Sequence, residues 1–289
     1  MNDYIIIADS ACDLGNDIPG KLKVKIIDMK FSFENSPEEH TNYSMPCKDF
    51  YKAMRAGSVS KTTAVNVSEY VSAFEEELIK GNDILYICFS SGLSMQHHFS
   101  KVAAKELIEK YPERKIEIVD SLCASGGYGL LVTLAAKKRD EGVSIDELKT
   151  YVLEKRLNIC HWFTVDNLEY LRRGGRLSAG TALIGGILGI KPVLHTDDNG
   201  KLVNVYKVRG RKASLSLIAD KYGELSVNPP KEDIVYLCHA DCPEDAKTVK
   251  HMLYDRYGVK VKLITDISPI IGSHSGPGTL ALFFEGKHR

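Results

Sequence analysis

Three short apolar runs, at residues 4–8, 84–89 and 116–119, each stop at a hydroxyl-bearing turn, and helix-length segments separate them. The turns are Asp9-Ser10, Ser90-Ser91-Gly92 and Asp120-Ser121. Continuous apolar runs of this length suit strands buried on both faces, and strands that return in the same direction need a crossover of helical length. This alternation narrows the chain to an α/β fold whose N-terminal part is a largely parallel sheet with helices on both faces. Ligands of such sheets lie beyond the carboxyl ends of the strands, where the hydroxyl turns sit.

The intervening segments read as amphipathic helices over residues 45–56, 68–80, 95–110, 124–141 and 144–156, with Ser68 as an N-cap, and residues 24–33 read as one further strand. The texture changes near residue 158. A strand at 160–165 precedes a short helix ending at Arg173 and the Gly174-Gly175 turn. The turn Asp197-Asp198-Asn199-Gly200 joins residues 191–196 and 201–208 as a hairpin. Helices are expected at 212–222 and 243–257, strands at 234–239, 259–265 and 280–284, and a glycine-rich turn at 274–278. The expected organisation is an N-terminal α/β unit over residues 1–158 and a C-terminal α/β unit over 159–289.

Charge argues against nucleic acid. The chain carries 38 basic and 38 acidic residues, with no long basic stripe to follow a phosphate backbone. No apolar run is long enough to span a bilayer, and the N-terminus lacks the charged start of a signal peptide. Seven scattered cysteines without a CxxC pair suit reduced thiols in a cytoplasmic protein. Cys238-His239 with Cys242 is half of a zinc site whose other half is missing, so no metal is expected.

Two hydroxyl clusters, Lys61-Thr62-Thr63 and Ser90-Ser91-Gly92-Leu93-Ser94, precede expected helices and could cradle an oxyanion, although capping explains each equally well. His274 stands in Gly272-Ser273-His274-Ser275-Gly276-Pro277-Gly278, where a rigid turn could tune it as a donor or cation. Arg172, Arg173 and Arg176 surround a Gly-Gly turn, and Arg209 and Arg211 form a second basic spot. Either could hold an anion or a partner protein, or be an ordinary solvated helix end. The glycines near 126–129 and 185–189 form neither a dinucleotide fingerprint nor a P-loop.

Taken in order, these pieces resemble the DegV family of fatty-acid-binding proteins. They are Ala8-Asp9-Ser10 with Asp13-Leu14, Lys61-Thr62-Thr63, Ser90-Ser91-Gly92-Leu93-Ser94 and Val119-Asp120-Ser121. There follow Asn167-Leu168-Glu169-Tyr170-Leu171 with Arg173-Gly174-Gly175-Arg176, Ile190-Lys191-Pro192, Val208-Arg209-Gly210, and His274 with Gly276-Pro277-Gly278. The resemblance spans residues 4–285. It implies a long-chain fatty acid held in a cleft between two α/β domains and presented to a fatty acid kinase, whose ATP phosphorylates the carboxylate. It also implies a carrier rather than an enzyme, with no cofactor and no membrane insertion. Thr62, Ser94 and His274 would bind the carboxylate, with Thr63 beside them and Arg172, Arg173 and Arg209 serving partner docking or the acyl phosphate. After Ser94 the run Met95-Gln96-His97-His98 departs from the family's usual Gly-Thr-Tyr-Gln and bears on acyl-chain preference. The apolar stretch 182–190 is a candidate tunnel wall. A competing reading is a Ser/His hydrolase of acyl esters using Ser94 or Ser91, His274 and Asp120 or Asp9, although the GxSxG nucleophile elbow is absent. A third is an interaction module built on the arginine turn.

Overall fold

The structure, a computed structural model, describes residues 3–177 and 189–289. Most of the expected tunnel wall at 182–190 therefore lies outside the described residues. In chain order the elements are β1 (Tyr4–Asp9), α1 (Asp17–Lys21), β2 (Val24–Ile27), β3 (Lys30–Phe33), β4 (His40–Thr41), α2 (Cys47–Arg55), β5 (Ser60–Thr63), α3 (Val67–Ile79), β6 (Asp83–Cys88), α4 (Gln96–Lys110), β7 (Ile116–Asp120), α5 (Ser125–Asp140) and α6 (Ile145–Lys155). They continue with β8 (Ile159–Thr164), α7 (Glu169–Arg173), β9 (Ile190–Thr196), β10 (Leu202–Arg209), α8 (Arg211–Leu225), β11 (Val235–His239), α9 (Pro243–Tyr257), β12 (Val261–Asp266), α10 (Pro269–Ser275) and β13 (Leu280–Glu285).

The apolar runs build a parallel sheet in the order β2-β1-β6-β7. Every residue of β6 is buried, as expected of a strand covered on both faces. A second, mixed sheet runs β10-β9-β8-β13-β11-β12, and β9 and β10 form the antiparallel hairpin that the Asp-Asp-Asn-Gly turn predicts. One apolar core runs through both sheets, joining Ile6 and Leu85 to Phe163 and Phe283. Another lies around Leu215, Val249 and Phe284. Among the described residues no helix is long and apolar enough to cross a membrane.

Helix α5 lies between the sheets, and its glycines explain the dense run at 126–129. A Cβ on Gly127 would come within 2.2 Å of His161 Nε2, and one on Gly129 within 2.3 Å of the Cys12 carbonyl. The helix thus touches the second sheet on one side and the chain leaving β1 on the other.

Four local expectations need correction. Residues 24–33 are two strands in two sheets, because the chain turns at Asp28-Met29 and the Met29 N–H donates to Ser10 Oγ at 3.0 Å. Strand β3 instead joins β4 and β5 in a small antiparallel sheet. The Lys61-Thr62-Thr63 run is strand rather than a pre-helical loop, and α3 is capped by Asn66, not Ser68, in a reciprocal capping box with Glu69. His274 lies in the last turn of α10 rather than in a glycine-rich turn, in a helix opened by Pro269 in its first turn.

Candidate functional site

Helix α10 presents two layers of side chains to the interior. Ile270 and His274, and Ile271 and Ser275, are spaced four apart and share a face. All four line a cavity with Met29, Thr62, Phe89, Leu93, Ser94, Leu171 and Arg176. This middle chamber opens outward through Thr62, Arg176 and His274 into a polar mouth lined by Glu34, Lys61 and Arg173. It continues inward past Ala124, Leu202, Ile271 and Ser275 into an apolar chamber walled by Phe163, Ile267, Ala281 and Phe283. The result is a channel, wet at one end and apolar beyond, with hydroxyls and a histidine at the junction.

Each polar group arrives there for a local reason. Strand alternation turns Thr62 inward and leaves Lys61 and Thr63 exposed. The loop after β6 closes on itself, with the Ser94 N–H donating to the Ser90 carbonyl at 3.1 Å, and sets Ser94 at the start of α4. The positive end of that helix dipole, with no acidic residue in its first turn, favours an anion nearby. Ser90 is committed elsewhere, its hydroxyl donating to the Gly200 carbonyl at 2.8 Å, and the Ser91 N–H donates to Asp120 at 3.1 Å.

Thr62 Oγ1 and His274 Nε2 are 2.8 Å apart. His274 Nδ1 is buried without a partner, and a Cβ on Gly174 would sit 2.3 Å from it. A buried N–H lacking an acceptor costs more than an unshared lone pair, which puts the ring proton on Nε2. Nε2 then donates to Thr62 Oγ1 and leaves the Thr62 hydroxyl proton free to point into the channel. Burial, with repulsion from Arg176 and Arg173, draws His274 down to about 4. The ring is therefore neutral at physiological pH. The unfolded chain protonates this ring near 6.5, the folded chain near 4. Its contribution to stability is complete above about 6.5 and is lost as pH falls towards 4. An NMR titration of the His274 ring is expected to show a midpoint about two units below that of a free histidine. An anion bound beside the ring should move that midpoint upward.

The arginines divide. Arg176 reaches inward, with Nε donating to the Leu93 carbonyl at 3.1 Å and Nη1 to the Gly174 carbonyl. Arg173 lines the mouth with its guanidinium 5.2 Å from the centre of the Tyr170 ring. Arg172 and Arg209 are exposed and line none of these chambers, and Arg172 is bound to Glu169 through Nε at 2.7 Å. Sequence reasoning named Thr62, Ser94 and His274, which the fold brings to one chamber, and Thr63, Arg172 and Arg209, which it does not. It gave no role to Ser275 or to the apolar lining. The i, i+4 pairing of Ile270-Ile271 with His274-Ser275 was the available signal.

The residues of the hydrolase reading have other partners. Asp9 accepts from the Ala11 and Phe89 N–H groups at 3.1 and 2.9 Å and from the Tyr86 hydroxyl at 3.0 Å. Asp120 accepts from the Ser91 and Leu122 N–H groups. Neither is hydrogen-bonded to His274. Among the described residues no group of three or more His, Cys, Asp or Glu is arranged to hold a metal.

Comparison with known proteins gives consistent results. The family model described as "Uncharacterised protein, DegV family" matches residues 4–287. A DegV domain-containing protein of Clostridium perfringens is 42% identical over 287 residues, covering 99% of this chain and 98% of its own. Among solved structures, a DegV lipid binding protein of Thermotoga maritima aligns with a TM-score of 0.86 at 27% identity, over 99% of each chain. A fatty acid binding DegV family protein of Streptococcus agalactiae aligns with a TM-score of 0.86 at 25% identity, over the whole of both chains.

Proposed function

This chain belongs to the DegV family, and we propose that it binds a long-chain fatty acid in the channel, carboxylate outward, and performs no bond-breaking chemistry itself. The carrying observation is the channel's polarity, with Thr62, Ser94 and His274 at the junction between a wet mouth and an apolar interior. Both solved relatives described above are named for lipid or fatty acid binding. Burying each methylene contributes about 0.8 kcal/mol, so a long tail offers on the order of 10 kcal/mol before association costs. The carboxylate would meet the Thr62 hydroxyl proton, the Ser94 hydroxyl and the amino end of α4, which offset the cost of burying its charge. The division into residues 1–158 and 159–289 belongs to the same reading, since walls from both parts enclose the channel.

In this reading the chain presents the carboxylate to a fatty acid kinase that brings ATP, and the exposed Arg172 and Arg209, with Arg173 at the mouth, serve that docking. The missing carboxylate partner of His274 supports a binding role over a hydrolytic one, since a triad needs an acid to orient the ring. Seven free cysteines suit a reducing, cytoplasmic setting. The test is calorimetric titration of the delipidated chain with octadecanoic acid and with its methyl ester. The acid is expected to bind at least about tenfold more tightly, with no ester turnover. Equal affinities, or hydrolysis of the ester, would contradict the reading.

A further inference from the structure

Two paired strands build the apolar floor of the inner chamber. Side chains alternate along β13, so Ala281 and Phe283 share one face and Leu280 and Leu282 the other. Leu280 and Leu282 are fully buried in the core around Leu215 and Val249. Ala281 and Phe283 keep 4% and 2% of their surface open, and both line the chamber. Their cross-strand partners on β8 are Phe163 and His161, which line it too. His161 turns its polar atoms to the backbone, with Nδ1 on the Ile159 carbonyl at 2.8 Å and Nε2 accepting the Ala124 N–H at 3.2 Å. Of these four paired positions, Ala281 is the one that carries a methyl instead of a ring.

The floor is braced from behind. The His161 and Phe283 rings stand edge to face with their centres 5.3 Å apart. Helix α5 presses on them through its glycines, since a Cβ on Gly126 would lie 2.9 Å from the Phe283 ring and 2.5 Å from Cys238 Sγ. A wall packed this closely yields little when a tail pushes against it. The room in front of Ala281 is therefore what one small side chain leaves among fixed rings. Ala124, Leu202 and Ile271 line both chambers, whereas Ala281 lines only the inner one, so the terminal carbons of a tail are the part that reaches it. We propose that Ala281 sets the length of acyl tail the channel accepts, with the terminal carbons seated on its methyl beside the Phe163 and Phe283 rings. This rests on the fatty-acid reading and deepens it.

The test is calorimetric titration of the delipidated full chain with the saturated acids from decanoic to icosanoic. Each added methylene is expected to raise affinity about fourfold until the tail meets the floor, after which affinity falls. Ala281→Leu adds roughly three methylenes of bulk and is expected to move that optimum to an acid about two to three carbons shorter. The acid that wild type binds best should lose about 15- to 60-fold, while acids too short to reach the floor change less than about twofold. Ala281→Val, smaller and well suited to a strand, is expected to shift the optimum by about one to two carbons and serves if the leucine change does not fold. Melting temperatures identify the variants that fold. A length profile unchanged in every folded variant, or an equal loss for every acid, overturns the proposal while the fatty-acid reading stands. If no acid of any length binds the wild-type chain, the underlying reading falls instead.

Discussion

Replacing Asp9 by Ala is expected to lower the stability of this chain by about 3–5 kcal/mol, because it strips three buried donors of their shared acceptor. Asp9 is fully buried and ties three elements together. Its carboxyl receives the Phe89 N–H after β6, the Ala11 N–H after β1 and the Tyr86 hydroxyl within β6. The Asp9 N–H donates to the Tyr128 hydroxyl of α5 at 2.8 Å, and that hydroxyl donates to the Ile87 carbonyl at 2.5 Å. Burial raises the Asp9 carboxyl to about 6 despite these hydrogen bonds. A raised folded value means that the group favours the native state fully below about 4 and loses that contribution as pH climbs through 6. Asp9→Asn, which keeps one acceptor oxygen, is expected to cost less than the alanine change. The gap between wild type and Asp9→Asn should widen as pH falls from 7 towards 4. Chemical denaturation across that range measures both effects, and an Asp9→Ala protein as stable as wild type would remove Asp9 from the framework.

The second large effect concerns ligand affinity. Thr62→Val preserves shape and deletes the hydroxyl that His274 Nε2 orients. Loss of a hydrogen bond to a buried carboxylate corresponds to roughly 1.5–3 kcal/mol, or about a ten- to hundredfold weaker fatty acid affinity. His274→Ala removes the partner that fixes the Thr62 proton, so its loss and that of Thr62→Val should not add in a double variant. His274→Gln can donate to Thr62 in place of the ring and is expected to recover part of the affinity. The His274 changes should leave the pH dependence of binding flatter. Affinities of the two single variants within twofold of wild type would show that this pair does not meet the carboxylate.

The framework was legible where the sequence signals were local and strong. Apolar runs such as 84–89 identified buried strands, and the turn at 197–200 identified the β9-β10 hairpin. The break at Asp28-Met29 was hidden because neither residue is Gly or Pro, and a tertiary contact from Ser10 sets it. Helix α10 was hidden behind the glycines at 272, 276 and 278, although Pro269 is a recognised helix opener. Of the site, resemblance supplied Thr62, Ser94 and His274. The channel itself was illegible, since Met29, Phe89, Leu171 and Ile271 are far apart in sequence and meet only in the fold.

The most direct test is native mass spectrometry of the purified chain, followed by organic extraction of whatever it carries. A stoichiometric long-chain fatty acid, retained by wild type and largely lost from Thr62→Val, is the predicted result. A chain that is empty as purified, and stays empty after incubation with long-chain fatty acids, would contradict the account at its centre.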